Sequence, residues 1–353
     1  MVRMNDGSVA RLPVRIEIGP TMKTFASGLL LELVAALRGS TGGDLIAMTA
    51  GDASVGPDLD AWSRMTGHVI VGRSDEQEGT RWVIRHGAAD GELQDAQPLG
   101  ARIWLYTNFH CNLKCDYCCV RSSPAARRRE LGLARVQRIA EEAAPLGVGE
   151  FFLTGGEPFL LPDIADIVLA CAEAAPVTLL TNGMLFGGRR RTELLRMPRA
   201  RVTLQISLDS PTPELHDLHR GAGSWQRAWD GIRLAREEGF RVRLAATVAT
   251  SPQEDAFRQF LDQHCIPEAD RVIRRVALRG AAMAGVPLAR ADLVPEMTIT
   301  AEGVYWHPVG AEDLDMLVTT EIFPLAAALA AVTRAVEYER EHTGRLARVF
   351  HCA

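Results

Sequence analysis

The chain has 353 residues, of which 47% are hydrophobic and 24% charged, and a formal net charge of −5. This balance fits a globular protein with a substantial core, in two domains or in one large barrel with an appendage. The negative charge speaks against a dedicated nucleic-acid binder, no run reaches the roughly 18 apolar residues of a membrane span, and the opening MVRMNDGSVARLP lacks an apolar signal core. Four of the seven cysteines crowd into residues 111–119, which is no disulfide framework, so the expected compartment is the reducing cytoplasm.

Residues 1–90 read as a separate small α+β unit. Val14 to Ile18 is a strand, and Ser27 to Leu37 is an amphipathic helix with Leu30, Leu33, Val34 and Leu37 on one face. Leu45 to Thr49 is a second strand and Asp58 to Met65 a second helix, with strands at Val69 to Val71 and Trp82 to Arg85 completing a βαβαββ order. Gly87 to Gly100, rich in Gly, Ala, Asp and Gln, is the expected linker.

Residues 91–280 alternate strands and helices. Apolar runs at Ile103 to Thr107, Glu150 to Thr154, Val177 to Thr181, Val202 to Leu208, Val242 to Val248 and Val272 to Ala277 predict six strands. Leu133, Val136, Ala140 and Ala143 recur at helical spacing, as do Ile164, Ile167, Val168 and Cys171. Such a pattern predicts an α/β fold with a parallel sheet. In residues 281–353, Met297 to Trp306 predicts a hairpin and Phe323 to Arg340 a helix.

The chemistry concentrates in TNFHCNLKCDYCC, where Cys111, Cys115 and Cys118 stand at C-x3-C-x2-C. Iron–sulfur clusters normally take four thiolates, so three leave one iron open to a ligand from outside the protein. A zinc knot or a group of buried structural thiols is the alternative for this loop alone, since His110 and Cys119 adjoin it. Further polar motifs close the successive apolar runs: Gly155-Gly156-Glu157-Pro158, Asn182-Gly183, and Ser207 with Asp209. His216-Asp217-Leu218-His219-Arg220-Gly221 follows. Arg121 and Arg127-Arg128-Arg129 form a basic spot after the cysteine loop, suited to an acidic electron donor or an anionic substrate, or else a solvated charge run.

The cysteine loop with Tyr117, the GGEP turn and the HDLHRG segment together resemble the radical S-adenosylmethionine (radical SAM) superfamily. The resemblance implies a partial (β/α)6 TIM-like barrel, with its site at the C-terminal ends of the strands. It implies a single [4Fe–4S] cluster on Cys111, Cys115 and Cys118, with S-adenosylmethionine (AdoMet) closing the fourth site. Tyr117, Gly155, Gly156, Glu157, Ser207, Asp209 and Arg220 would bind this cofactor. In that scheme Gly155 and Gly156 admit the ligand closely, a carbonyl or Glu157 receives its ammonium group, Ser207 and Asp209 its ribose, and Arg220 its carboxylate. The implied activity is reductive AdoMet cleavage and hydrogen abstraction from a small metabolite or peptide, fed by a reduced flavodoxin or ferredoxin-type donor.

Residues 281–353 resemble a SPASM or twitch region without its auxiliary-cluster cysteines, because Cys171, Cys265 and Cys352 are scattered. Residues 1–90, with DLDAWSRMTGH, resemble the TusA-like sulfur-carrier fold, but no cysteine precedes Cys111. That departure removes persulfide chemistry and leaves either a docking or regulatory module or plain fold decoration. From a different class, a non-catalytic iron–sulfur or sulfur-trafficking scaffold would bind metal without cleaving AdoMet.

Overall fold

The computed structural model describes residues 13–87 and 98–343, apart from Gly42 and Gly67. These divide into two compact units, split after residue 96. Most of the expected linker, residues 88–97, and Cys352 lie outside the described residues.

In the first unit, β1 (Val14–Thr21) leads to a π-helical turn, Phe25–Leu29, that runs into α1 (Leu30–Arg38). Thr24 caps this start by accepting from the Ser27 amide, and Gly28, at φ 112°, breaks the α geometry expected from Ser27 onward. There follow β2 (Leu45–Ala50), α2 (Val55–Thr66), β3 (Val69–Glu76) and β4 (Gly79–Arg85). The sheet order is β1-β2-β4-β3, with β1 parallel to β2 and β4 antiparallel to both of its neighbours. Leu29, Leu33 and Leu37 pack with Ile46, Met48 and Ile84 into the core of this unit.

The second unit is built on β5 (Arg102–Tyr106), α3 (Leu133–Ala143), β6 (Glu150–Thr154), α4 (Ile164–Ala174), β7 (Val177–Thr181), α5 (Arg189–Arg196) and β8 (Val202–Ser207). Next come α6 (Pro213–Arg220), α7 (Ser224–Glu237), β9 (Arg241–Val248), α8 (Ser251–Gln263) and β10 (Arg271–Arg275). All six strands are parallel and lie in chain order, each hydrogen-bonded to the next. Strands covered on both faces read as nearly continuous apolar runs, which is why FFL in β6 and LL in β7 give no alternation.

The chain then returns to the opposite edge of the sheet. β11 (Thr298–Thr300) pairs parallel to β5, and β12 (Gly303–Tyr305) and β13 (Leu317–Thr319) extend the sheet antiparallel, giving nine strands in the order β10-β9-β8-β7-β6-β5-β11-β12-β13. The final helix, α9 (Leu325–Thr343), packs against α3 and β13. This is an α/β partial TIM-like barrel, and its loops of interest all lie at the C-terminal strand ends. Among the described residues no helix is long and apolar enough to cross a membrane.

Candidate active site

A cavity of about 180 Å³ opens at the C-terminal ends of the six parallel strands. Cys111, Cys115 and Cys118 all line it, carried by the loop that follows β5. The Leu113 amide donates to Cys111 Sγ at 3.4 Å and the Ser122 amide to Cys118 Sγ at 3.3 Å, contacts suited to sulfurs that carry negative charge on iron. Burial, with the Glu157 charge behind it, pushes the Cys111 thiol up to about 12, and burial raises that of Cys115 as well. Iron binding must therefore displace protons that these thiols otherwise keep.

The donor set fits a cluster: three thiols of one loop line a single cavity, and a cubane takes each thiolate on a different iron. The Ser122 hydroxyl is buried without a hydrogen-bond partner and lines the same cavity, as a group awaiting a ligand would.

Gly155 and Gly156 line the cavity, and their missing side chains also make room for the chain itself. A Cβ on Gly155, at φ 154°, would stand 2.4 Å from the Asn108 carbonyl oxygen, and one on Gly156 would stand 2.1 Å from that of His110. The glycines admit the start of the cysteine loop itself, which their strand end then holds. The Gly156 amide donates to the Asn108 carbonyl at 3.1 Å and the Glu157 amide to the His110 carbonyl at 3.1 Å.

Glu157 is fully buried and does not line the cavity. Its carboxylate accepts from the Thr181 hydroxyl at 2.8 Å, the Asn182 amide at 2.8 Å and the Phe159 amide at 3.0 Å. It thus ties the end of β6 to the end of β7, and its side chain is occupied before any ammonium group arrives. Asn182, which closes the apolar run of β7, completes the tie by donating to Asn112 of the cysteine loop at 2.8 Å.

Asp209 is likewise buried behind the cavity wall, whereas Ser207, Tyr117 and Arg220 line it. The Asp209 carboxylate accepts from Arg220 Nε at 2.5 Å and Nη2 at 3.2 Å, from the Thr247 amide at 3.0 Å, and from the Tyr117 hydroxyl. Burial alone would raise the Asp209 pKa, but the Arg220 guanidinium holds it below the ordinary carboxylate range. Arg220 also lies over the Tyr117 ring, 5.5 Å from its centroid. The HDLHRG segment is therefore joined to the cysteine loop through a carboxylate at the end of β8. His216 accepts from the Asp209 amide at 3.1 Å, and His219 lies 2.9 Å from Asp116.

Residue-level reading of the sequence missed several cavity-lining groups, among them Tyr106, Thr247, Arg274 and Arg275. A charged pair at the C-terminal end of an apolar strand was the available signal for the two arginines. Cys119 lines the cavity beside Cys118, while Cys171 is buried in α4 and Cys265 is exposed after α8.

Residues 105–262 match the family model described as the Radical SAM superfamily. The chain carries a radical SAM domain. Proteins of this superfamily use a [4Fe–4S] cluster and AdoMet, the two groups that the cavity's donor set fits. The domain is 36% identical over 163 residues to the antilisterial bacteriocin subtilosin biosynthesis protein AlbA of Bacillus subtilis (strain 168), covering 45% of this chain and 35% of that one. It is 35% identical over 140 residues to GTP 3',8-cyclase of Microcystis aeruginosa, covering 37% and 42%. The match thus spans about two fifths of these relatives. Among solved structures, anSMEcpe with bound AdoMet and Kp18Cys peptide superposes with a TM-score of 0.53 at 12% identity, over 67% of this chain and 82% of that one. That likeness concerns the fold of the radical SAM domain.

Proposed function

We propose that the chain is a radical SAM enzyme that holds one [4Fe–4S] cluster on Cys111, Cys115 and Cys118, cleaves AdoMet reductively, and abstracts hydrogen from a peptide or a small metabolite. The observation that carries this reading is the gathering of three cysteines, Gly155, Gly156, Ser207 and Arg220 around one cavity at the strand ends. When bound, the cluster and AdoMet supply the electron transfer and the 5'-deoxyadenosyl radical. The protein supplies position and water exclusion.

Three thiolates would hold three irons and leave the fourth for a non-protein ligand. Ser207 and Arg220, which line the cavity from the ends of β8 and α6, would bind that ligand. Asp209 fixes Arg220 from behind, and Trp104, Tyr106, Pro308 and Val309 wall the space against water. The proposal assigns one cluster, to the loop cysteines alone; Cys119 lies beside Cys118, Cys171 is buried in α4 and Cys265 is exposed after α8. The two substrate classes are those represented in the names of the relatives, a bacteriocin biosynthesis protein and a nucleotide cyclase. A reduced flavodoxin or ferredoxin-type protein is the proposed electron donor.

The test is anaerobic incubation of the reconstituted protein with dithionite and AdoMet, assayed for 5'-deoxyadenosine beside a Cys115→Ala control. Deoxyadenosine from the intact chain alone supports the reading. A fully loaded protein that yields none, with candidate peptides and metabolites supplied, favours the scaffold instead.

A further inference from the structure

The segment after β10 reaches back to the cysteine loop along two routes, and both end on Cys118. In the first, Arg279 is fixed by Asp315 at 2.8 and 2.9 Å, by Asp313 at 3.2 Å, and by the Leu288 carbonyl at 2.6 and 3.0 Å. The next residue, Gly280, sits at φ 64°, and a Cβ there would stand 2.2 Å from the Cys118 carbonyl oxygen and 2.5 Å from the Cys119 carbonyl carbon. The Ala281 amide then donates to that Cys118 oxygen at 2.8 Å.

In the second route, Arg121 adopts the left-handed conformation at φ 48°, which is uncommon for a residue with a side chain. Its guanidinium is held by Glu312 at 3.0 Å and Asp313 at 3.2 Å. The turn so made aims the next amide, that of Ser122, at Cys118 Sγ, 3.3 Å away. Asp313 belongs to both routes, and Glu312 also holds Arg129 at 2.8 Å.

From this convergence we infer that residues 279–281 and 310–315 form a clamp that positions Cys118 for iron, with Gly280 and Glu312 as its positioning residues. The inference rests on the proposed cluster. It assigns work to a C-terminal segment that lacks the cysteines for a second one. The clamp fixes the backbone carbonyl of Cys118 from one side and, from the other, holds Arg121, whose turn aims the Ser122 amide at the Cys118 sulfur; outer contacts of this kind set both metal affinity and the electronic properties of a cluster.

The experiment compares the reconstituted wild type with Gly280→Ala, Gly147→Ala and Gly285→Ala. Gly147, at φ 75°, carries the backbone cost of a left-handed residue with nothing within 4 Å of its Cβ position. Gly285, at φ 147°, adds a clash, 2.5 Å from the Val276 carbonyl, away from the cysteine loop. All three variants are expected to melt lower than the wild type. Only Gly280→Ala is expected to lose iron to a chelator, with roughly tenfold weaker retention, and to change the electron paramagnetic resonance signal of the reduced cluster. A folded Gly280→Ala protein with wild-type iron retention and signal overturns the clamp. If that variant does not fold, the double variant Glu312→Ala, Asp313→Ala decides: release of Arg121 from both acids must weaken iron retention in the same direction, and unchanged retention overturns the clamp. A wild type that takes up no cluster refutes the proposed function instead.

Discussion

Replacing Asp209 by alanine removes the acceptor that Arg220, Tyr117 and the Thr247 amide share. Arg220, with its side chain 10% exposed, then keeps its charge in a site that water scarcely reaches. Breaking one half of a buried ion pair costs about 3–5 kcal/mol, most of it the penalty of the charge left behind. In a unit of roughly 250 residues each kcal/mol shifts the melting temperature by about 2–4 °C. Asp209→Ala should therefore lower the transition of the barrel unit by roughly 6–20 °C, read by calorimetry on the full chain. The double variant Asp209→Ala, Arg220→Met removes the stranded charge and should recover much of that loss. The depressed pKa adds a sign: the stabilisation is present above the ordinary carboxylate range and fades as pH falls toward the folded value, so the gap between wild type and variant should narrow in acid. A single variant within about 3 °C of the wild type, or a double variant less stable than the single, refutes the reasoning.

Two other perturbations test separate parts of the structure. Gly156→Ala forces a Cβ to within 2.1 Å of the His110 carbonyl, so the cysteine loop must move off the end of β6. Iron uptake by the refolded protein should fall, while Gly187→Ala, whose site is open, should load normally. In the first unit, the His68 ring stacks on Trp62 and meets His86 edge-on, each at 5.0 Å between centroids. Burial, aided by the charge of a protonated His86, pushes the His68 pKa down to about 4. Its neutral form is favoured by folding, so stability is full above the unfolded value near 6.5 and declines as pH falls toward 4. Hydrogen exchange of peptides from residues 69–85 should accelerate between pH 7 and 4.5 beyond the intrinsic pH effect, and His68→Phe should abolish the excess.

The parts of this protein that were legible in its sequence are those written locally. The cysteine spacing, the apolar runs of β6 and β7, and the polar residues that close each strand are all short-range signals, and the barrel follows from their alternation. What escaped depends on partners far apart in the chain. Glu157 looks like a ligand-facing acid until Thr181 and Asn182 are seen to claim its oxygens, and Asp209 looks the same until Arg220 is found beside it. The GGEP glycines pointed to close approach, and the carbonyls 47 and 46 residues upstream that approach them could not be read from the local sequence. The pairing of Arg279 with Asp313 and Asp315 leaves no periodic mark at all.

The placement of β11 has a consequence for the order of events on the ribosome. The free edge of β5 is covered by a strand that begins at Thr298, nearly 200 residues later in synthesis. Until that stretch emerges, β5 presents an open row of amides and carbonyls, the condition under which a nascent sheet pairs with the wrong neighbour. A similarly long stretch of chain separates Cys118 from Ala281, its hydrogen-bonding partner. Metal loading is thus expected to follow release of most of the polypeptide. Truncation products that end before the hairpin would then emerge as both unloaded and adhesive species.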